Sequence, residues 1–168
     1  MLSQDLSVVA PELALSLLAM GLLMWGAFSP REEGASIFWV ATGALTLAGL
    51  WVGFQPAGER LAFDGSFVSD GFGRFAKVLI LLGAAATLAL STDYLRRYDL
   101  LKFEYPVLIV LSTVGMMIMV STRDLMVLYM GLELTSLSLY VVAAFHRDST
   151  RSTEAGLKYF VLGALSSG

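Results

Sequence analysis

Long apolar runs broken by short polar interruptions set the rhythm of this chain. The runs predict helix one over Pro11–Phe28, helix two over Ala35–Phe54, helix three over Phe72–Ser91, helix four over Pro106–Val120 and helix five over Leu125–Phe145. A sixth helix begins near Thr153. Pro11 suits the first turn of a helix, where its missing N–H costs nothing. The interruptions are a Gly- and Asp-containing loop over 55–71, a charged connector over 92–105, a tight turn over 121–124 and a loop over 146–152. Helix five, at 1.5 Å rise per residue, spans roughly 31 Å, the thickness of a bilayer's hydrocarbon core. The pattern predicts an all-α, polytopic transmembrane helix bundle with five complete spans and the start of a sixth. The last residues, Leu165–Gly168, stop inside that sixth helix without a cap, a loop or a flanking charge. That ending predicts the N-terminal piece of a longer protein.

Composition supports the membrane reading. Of 168 residues, 57% are hydrophobic and 15% charged, with a mean hydropathy of +0.73, more apolar surface than a soluble domain of this length needs. The absence of cysteine excludes disulfides, Cys-ligated metal sites and iron–sulfur clusters in this sequence. A single His with no paired partner argues against haem and zinc. A net charge of −3 with no basic stripe argues against nucleic acid. The first 30 residues hold no Lys or Arg, so the first apolar run is a retained helix and not a secretory signal, which wants a positive leader. Alternate loops carry Arg31, then Arg96, Arg97 and Lys102, then Arg147 and Arg151. The opposite side carries Arg60, Arg74 and Arg123, with Lys77 near that surface. The positive-inside bias therefore predicts the first set in the cytoplasm, the N-terminus outside and the 55–71 loop external.

The chemistry concentrates on Glu133. It lies eight residues into helix five, about 12 Å below one surface, where a carboxylate costs at least ~2.5–3.5 kcal/mol. It must protonate, find a cation or face water within the bundle. Steps of −4, +3 and +7 keep to one helix face, and those positions are Tyr129, Ser136 and Tyr140. The carboxylate thus lies in a polar stripe that can hold water or donate hydrogen bonds. Intramembrane carboxylates are functional by default; the competing reading is a structural Glu paired to another helix. Lys158 is the second candidate. It lies about 8 Å below the cytoplasmic surface, within reach of snorkelling, and Glu154 at i−4 can pair with it. Anchor and proton carrier both remain open for it. Glu133 is roughly 18 Å from that surface, which makes a direct Glu133–Lys158 ion pair doubtful without a bridging water.

The remaining charges have structural readings. Glu12 sits in the first turn of helix one, where the dipole favours an acid. Lys77 is within snorkelling range of the outer surface, and Arg123 and Asp124 cap a short turn. His146 closes helix five, off the Glu133 face. Met116, Met117 and Met119 read as packing; Gly115, Gly131 and Gly156 read as points of close helix approach.

Four stretches resemble a known family. They are Pro11-Glu12-Leu13, the run Asp70-Gly-Phe-Gly-Arg-Phe-Ala-Lys-Val-Leu-Ile80, the run Arg123-Asp-Leu-Met-Val-Leu-Tyr-Met-Gly-Leu-Glu-Leu-Thr-Ser-Leu-Ser-Leu-Tyr140, and Arg151 through Gly168. Together they are similar to the antiporter-like N subunits of NADH-quinone oxidoreductase, respiratory complex I. The last two stretches also resemble Mrp-type Na⁺/H⁺ antiporter subunits and related hydrogenase subunits; the helix-three stretch favours the N subunits. The resemblance implies a fourteen-helix subunit with two inverted five-helix repeats after three N-terminal helices. Residues 1–102 would be those three helices, with the external 55–71 loop; residues 103–168 would begin the first repeat. It also implies that Glu133 is the essential helix-five glutamate and Lys158 a helix-six lysine on the proton route. The glutamate's helix-seven lysine partner, the central-axis lysine and the distal channel would lie beyond residue 168. The implied role is proton translocation in the cell inner membrane, coupled to NADH oxidation and quinone reduction. Such a chain would carry no cofactor of its own, with flavin and iron–sulfur clusters on other subunits. Its partners would be the other membrane subunits, the lipid bilayer, protons and water. Rival readings are an antiporter subunit without redox chemistry and a scaffold bundle that transports nothing.

Overall fold

A computed structural model describes residues 6–29, 34–56 and 58–167. Its long helices are α1 (Ala10–Phe28), α2 (Gly34–Gly53), α3 (Gly71–Arg97), α4 (Glu104–Ser121), α5 (Leu125–Ala143) and α6 (Thr150–Ser167). The first five are long and apolar enough to cross a membrane, as the hydropathy pattern predicts.

Helix α3 runs six residues past its predicted end at Ser91 and absorbs much of the charged connector. Its buried stripe continues through Leu81, Ala84, Ala85, Leu88, Thr92 and Leu95 at helical spacing, so the inward face never breaks even where the outward face becomes charged. Thr92 Oγ1 donates to the Leu88 carbonyl at 2.8 Å, which hides its hydroxyl. Arg96 and Arg97 occupy the last turn, where the helix dipole favours cations. Asp99 then turns the chain at φ +54°. Leu100 N–H reaches back to the Leu95 carbonyl at 2.8 Å and Asp99 N–H to the Arg96 carbonyl at 3.4 Å. This is the Schellman pattern, with aspartate in the left-handed position that glycine usually holds.

The predicted 55–71 loop contains a small hairpin, which holds the two strands found among the described residues. Strand β1 (Arg60–Ala62) pairs antiparallel with β2 (Phe67–Ser69), Leu61 opposite Val68. Between them Phe63, Asp64 and Gly65 all take positive φ. The hairpin is too short for its hydrophobic alternation to show in the sequence. Ala62 and Phe67 bury against Val8 in a satellite core. Thr122 bridges to Phe67, and Arg123 N–H donates to the Ser66 carbonyl at 2.9 Å. The hairpin is therefore stitched to the α4–α5 turn.

Helix α4 is the centre of the bundle. Val110, Val114 and Met117 are fully buried among Leu15, Ala19 and Leu22 of α1, Ile37, Phe38 and Leu45 of α2, and Leu81 and Leu88 of α3. Helix α5 meets α4 at a glycine crossing. A Cβ on Gly131 would stand 2.9 Å from the Gly115 carbonyl oxygen, and one on Gly115 would stand 2.6 Å from the Gly131 carbonyl oxygen. Only glycines allow the two backbones this approach. Helix α6 packs against α5. These last two helices leave much apolar surface open: Leu125 is 82% and Leu165 80% exposed.

Candidate functional site

Asp124 opens α5 by accepting hydrogen bonds from the N–H groups of Met126 (2.7 Å) and Val127 (3.2 Å). That cap and the Gly115–Gly131 crossing fix where along the span the rest of the helix lies. Glu133 falls in the third turn, half-buried. Tyr129, Ser136 and Tyr140 face the same way. With Leu132 they line a groove of about 450 Å³, closed on the far side by Tyr159, Gly163 and Ser166 of α6. Tyr140 holds the two helices together. Its ring stands edge-on to Tyr159 at 4.7 Å and to Phe160 at 5.7 Å, and its hydroxyl lies against Gly163. Tyr129, Ser136 and Tyr140 thus form one wall of an interhelical groove, while Glu133 is not among the residues that line it.

Among the described residues Glu133 is in no salt bridge. Lys158 does not approach it. Lys158 Nζ lies 2.6 Å from Glu154 Oε1 at i,i+4, with both side chains more than 60% exposed. The helical-depth argument against a direct pair agrees with this arrangement. The opposite face of α5 carries polar groups the sequence analysis did not single out. Thr135 Oγ1 donates to the Gly131 carbonyl at 3.0 Å and lies 3.3 Å from the Ser112 carbonyl on α4; buried Ser138 donates to Leu134 at 2.8 Å. Their hydroxyls are used within the α4–α5 seam. His146, half-buried beyond the end of α5, shares a separate hollow with Tyr94, Tyr105 and Ser152. No cluster of three or more His, Cys, Asp or Glu side chains suited to a metal occurs among the described residues.

Lys77 departs from its predicted role. It is 4% exposed and turned inward, its Nζ 2.6 Å from Glu12 Oε1 on α1, instead of snorkelling outward. Phe67, 6.0 Å from Nζ to ring centre, stands on one side of it. Glu12, expected to serve the α1 dipole, is equally buried. A signal was present: alternating spans put the starts of α1 and α3 on one side of the membrane, with both charges within the first two turns. Nothing local showed that they meet.

These features define a class first. The fold is a polytopic helical membrane bundle with a carboxylate in the middle of its fifth span. Residues 122–168 match the family described as NADH:quinone oxidoreductase/Mrp antiporter, TM. Over 100% of its length the chain is 57% identical to NADH-quinone oxidoreductase subunit N of Jannaschia sp. (strain CCS1) and 54% identical to that of Rhodobacter capsulatus. It covers 35% of each of those relatives. A subunit in the solved respiratory complex I from Thermus thermophilus with bound aureothin has the same fold. Its TM-score is 0.78 at 29% identity, over 94% of this chain and 34% of that one. Over its whole length the chain is similar to NADH-quinone oxidoreductase N subunits, and it spans about a third of the length of the relatives it matches.

Proposed function

We propose that this chain is the N-terminal part of a proton-translocating membrane subunit of an NADH-quinone oxidoreductase, with Glu133 as its proton-carrying group. The observation that carries the reading is the placement of Glu133, half-buried in the middle of the fifth span and in no salt bridge among the described residues. A carboxylate so placed is costly unless it exchanges a proton or meets a charge from elsewhere. The tyrosine and serine hydroxyls of the α5–α6 groove can both donate and accept, so the groove can hold water on the same helix that carries Glu133. In this reading residues 1–102 form a three-helix unit and 103–168 begin an antiporter-like repeat. Flavin and iron–sulfur chemistry reside on partner subunits, and the neighbours in the membrane are other subunits of the complex. The membrane is the bacterial inner membrane, with the start of α1 on its outer side.

Glu133→Gln tests the reading in the full-length subunit within the assembled complex. Gln keeps the shape and removes the exchangeable proton. Assembly should stay normal while proton pumping in reconstituted vesicles falls by most of its value; Glu133→Asp should do less harm. Full pumping by Glu133→Gln would refute the role. The 57% identity to a subunit N across the whole chain favours this reading over an antiporter without redox partners.

A further inference from the structure

We propose that Glu12, Lys77 and Ser121 form a second protonatable site in this membrane domain, exchanging protons with the aqueous phase on the side where α1 begins. Both charged side chains are 5% exposed, in helices that cross the bilayer. A pair this deep loses its hydration on both ions, and its attraction repays that loss only when the other polar atoms are also satisfied. Here they are not. The 2.6 Å approach is close without the alignment of a hydrogen bond, and the second carboxylate oxygen, Oε2, is buried with no donor. Ser121 Oγ, at the end of α4 on the same membrane side, is also buried and unpartnered.

The three residues share one corner of the fold. Val120 lies against Gly73, one turn before Lys77 on α3. Val8, one turn before Glu12, packs with Phe67 and Ile118, and Phe67 lies beneath Lys77. Orphaned buried oxygens in the same corner as an ammonium are the setting that holds buried water, which typically makes about three hydrogen bonds to such groups.

Among the described residues no third charge is ion-paired with Glu12 or Lys77, and Arg60 lines the groove above them. Of the ionisable groups on the elements around the pair, Asp70 accepts from Gly73 N–H at 2.6 Å and Arg74 donates to the Gln55 carbonyl at 2.6 Å. Arg123 pairs with Glu59 at 3.0 Å, and Asp124 caps α5. Tyr105 and Glu104 lie at the far end of α4. A water-accessible hollow lies close by. Ser7, Val8, Arg60 and Leu61 line an open groove of about 430 Å³, and Val8 is one helical turn above Glu12. A proton arriving there would add to the Glu12 carboxylate, forming an O–H bond that can donate to a neighbouring oxygen, and would leave the Lys77 ammonium without its countercharge. Its release restores the ion pair.

Two measurements on the full-length subunit in its assembled complex test this. The double variant Glu12→Gln/Lys77→Met removes both charges at nearly constant volume and leaves no lone buried ion. It should assemble, with pumping per NADH oxidised reduced by about half or more, since the site rather than the packing is lost. Wild-type pumping by the assembled double variant would overturn the proposal. The second measurement needs no folded variant. Dicyclohexylcarbodiimide, an apolar reagent that modifies protonated carboxyl groups, should label Glu12 in the wild-type complex, read by peptide mass spectrometry, with labelling rising toward acid pH. Absence of a Glu12 adduct across the stable pH range would overturn the exchange. The pumping arm rests on the proton-translocating reading above and the labelling arm does not, so the two can fail separately.

Discussion

Single side chains near the candidate site divide into those that hold shape and those that carry charge. Lys158 tests the division. Its pairing with Glu154 is an exposed i,i+4 contact, worth about 0.3–0.5 kcal/mol. Lys158→Met should therefore leave assembly and thermal stability of the complex nearly unchanged. If Lys158 takes part in proton movement, NADH-driven turnover should still fall, and that is the expected result. Wild-type turnover would reduce Lys158 to an anchor. At this scale the sequence was most informative about Glu133 and its stripe, because an α-helix places −4, +3 and +7 neighbours on one face whatever surrounds it. It was least informative about Glu12 and Lys77. Their partnership spans 65 positions and depends on how α1 and α3 sit around α4, which no local periodicity encodes.

At the scale of elements, the apolar runs marked where helices lie but not always where they end. The charged residues after Ser91 mask the end of α3, whose buried stripe continues through Thr92 and Leu95. Its real stop is the turn at Asp99. Asp99→Val should destabilise the protein by about 1–2 kcal/mol, since a β-branched residue tolerates left-handed backbone poorly, whereas Asp99→Gly should be neutral or slightly stabilising. Thermal unfolding of the detergent-solubilised subunit separates the two; equal midpoints would contradict the cap assignment. The α4–α5 crossing makes a sharper claim. In Gly131→Ala the new Cβ meets Gly115 O at 2.9 Å and Met119 Cγ at 3.0 Å, and a backbone oxygen cannot swing aside. The helices must separate at a cost of about 1–3 kcal/mol, moving Glu133 with them. An unchanged unfolding midpoint would show that the crossing is looser than these distances imply.

For the molecule as a whole, charge asymmetry is the basis of the proposed orientation. Among described residues one end of the bundle gathers Arg96, Arg97, Lys102, Arg147 and Arg151, and the other Arg60, Arg74 and Arg123. Arg31 lies outside the described residues, and Lys77, being buried with Glu12, leaves the surface count. Its loss widens the imbalance on which the positive-inside argument depends. Tyr98→Cys, at an exposed position, should accordingly react only with reagents that enter the cytoplasm, and Glu59→Cys with impermeant ones outside. The reverse labelling would invert the topology. The hairpin on the Glu59 side carries a consequence for biogenesis. Its outer strand finds Thr122, and its Ser66 carbonyl finds the Arg123 N–H, only after the fourth span has been synthesised and threaded, 56 residues later. Such a distant pairing closes late. During insertion the first three helices must therefore wait with an unlatched extramembrane ribbon. Its closure records that the fourth span has arrived in register, before Glu133 on the fifth needs to be in place.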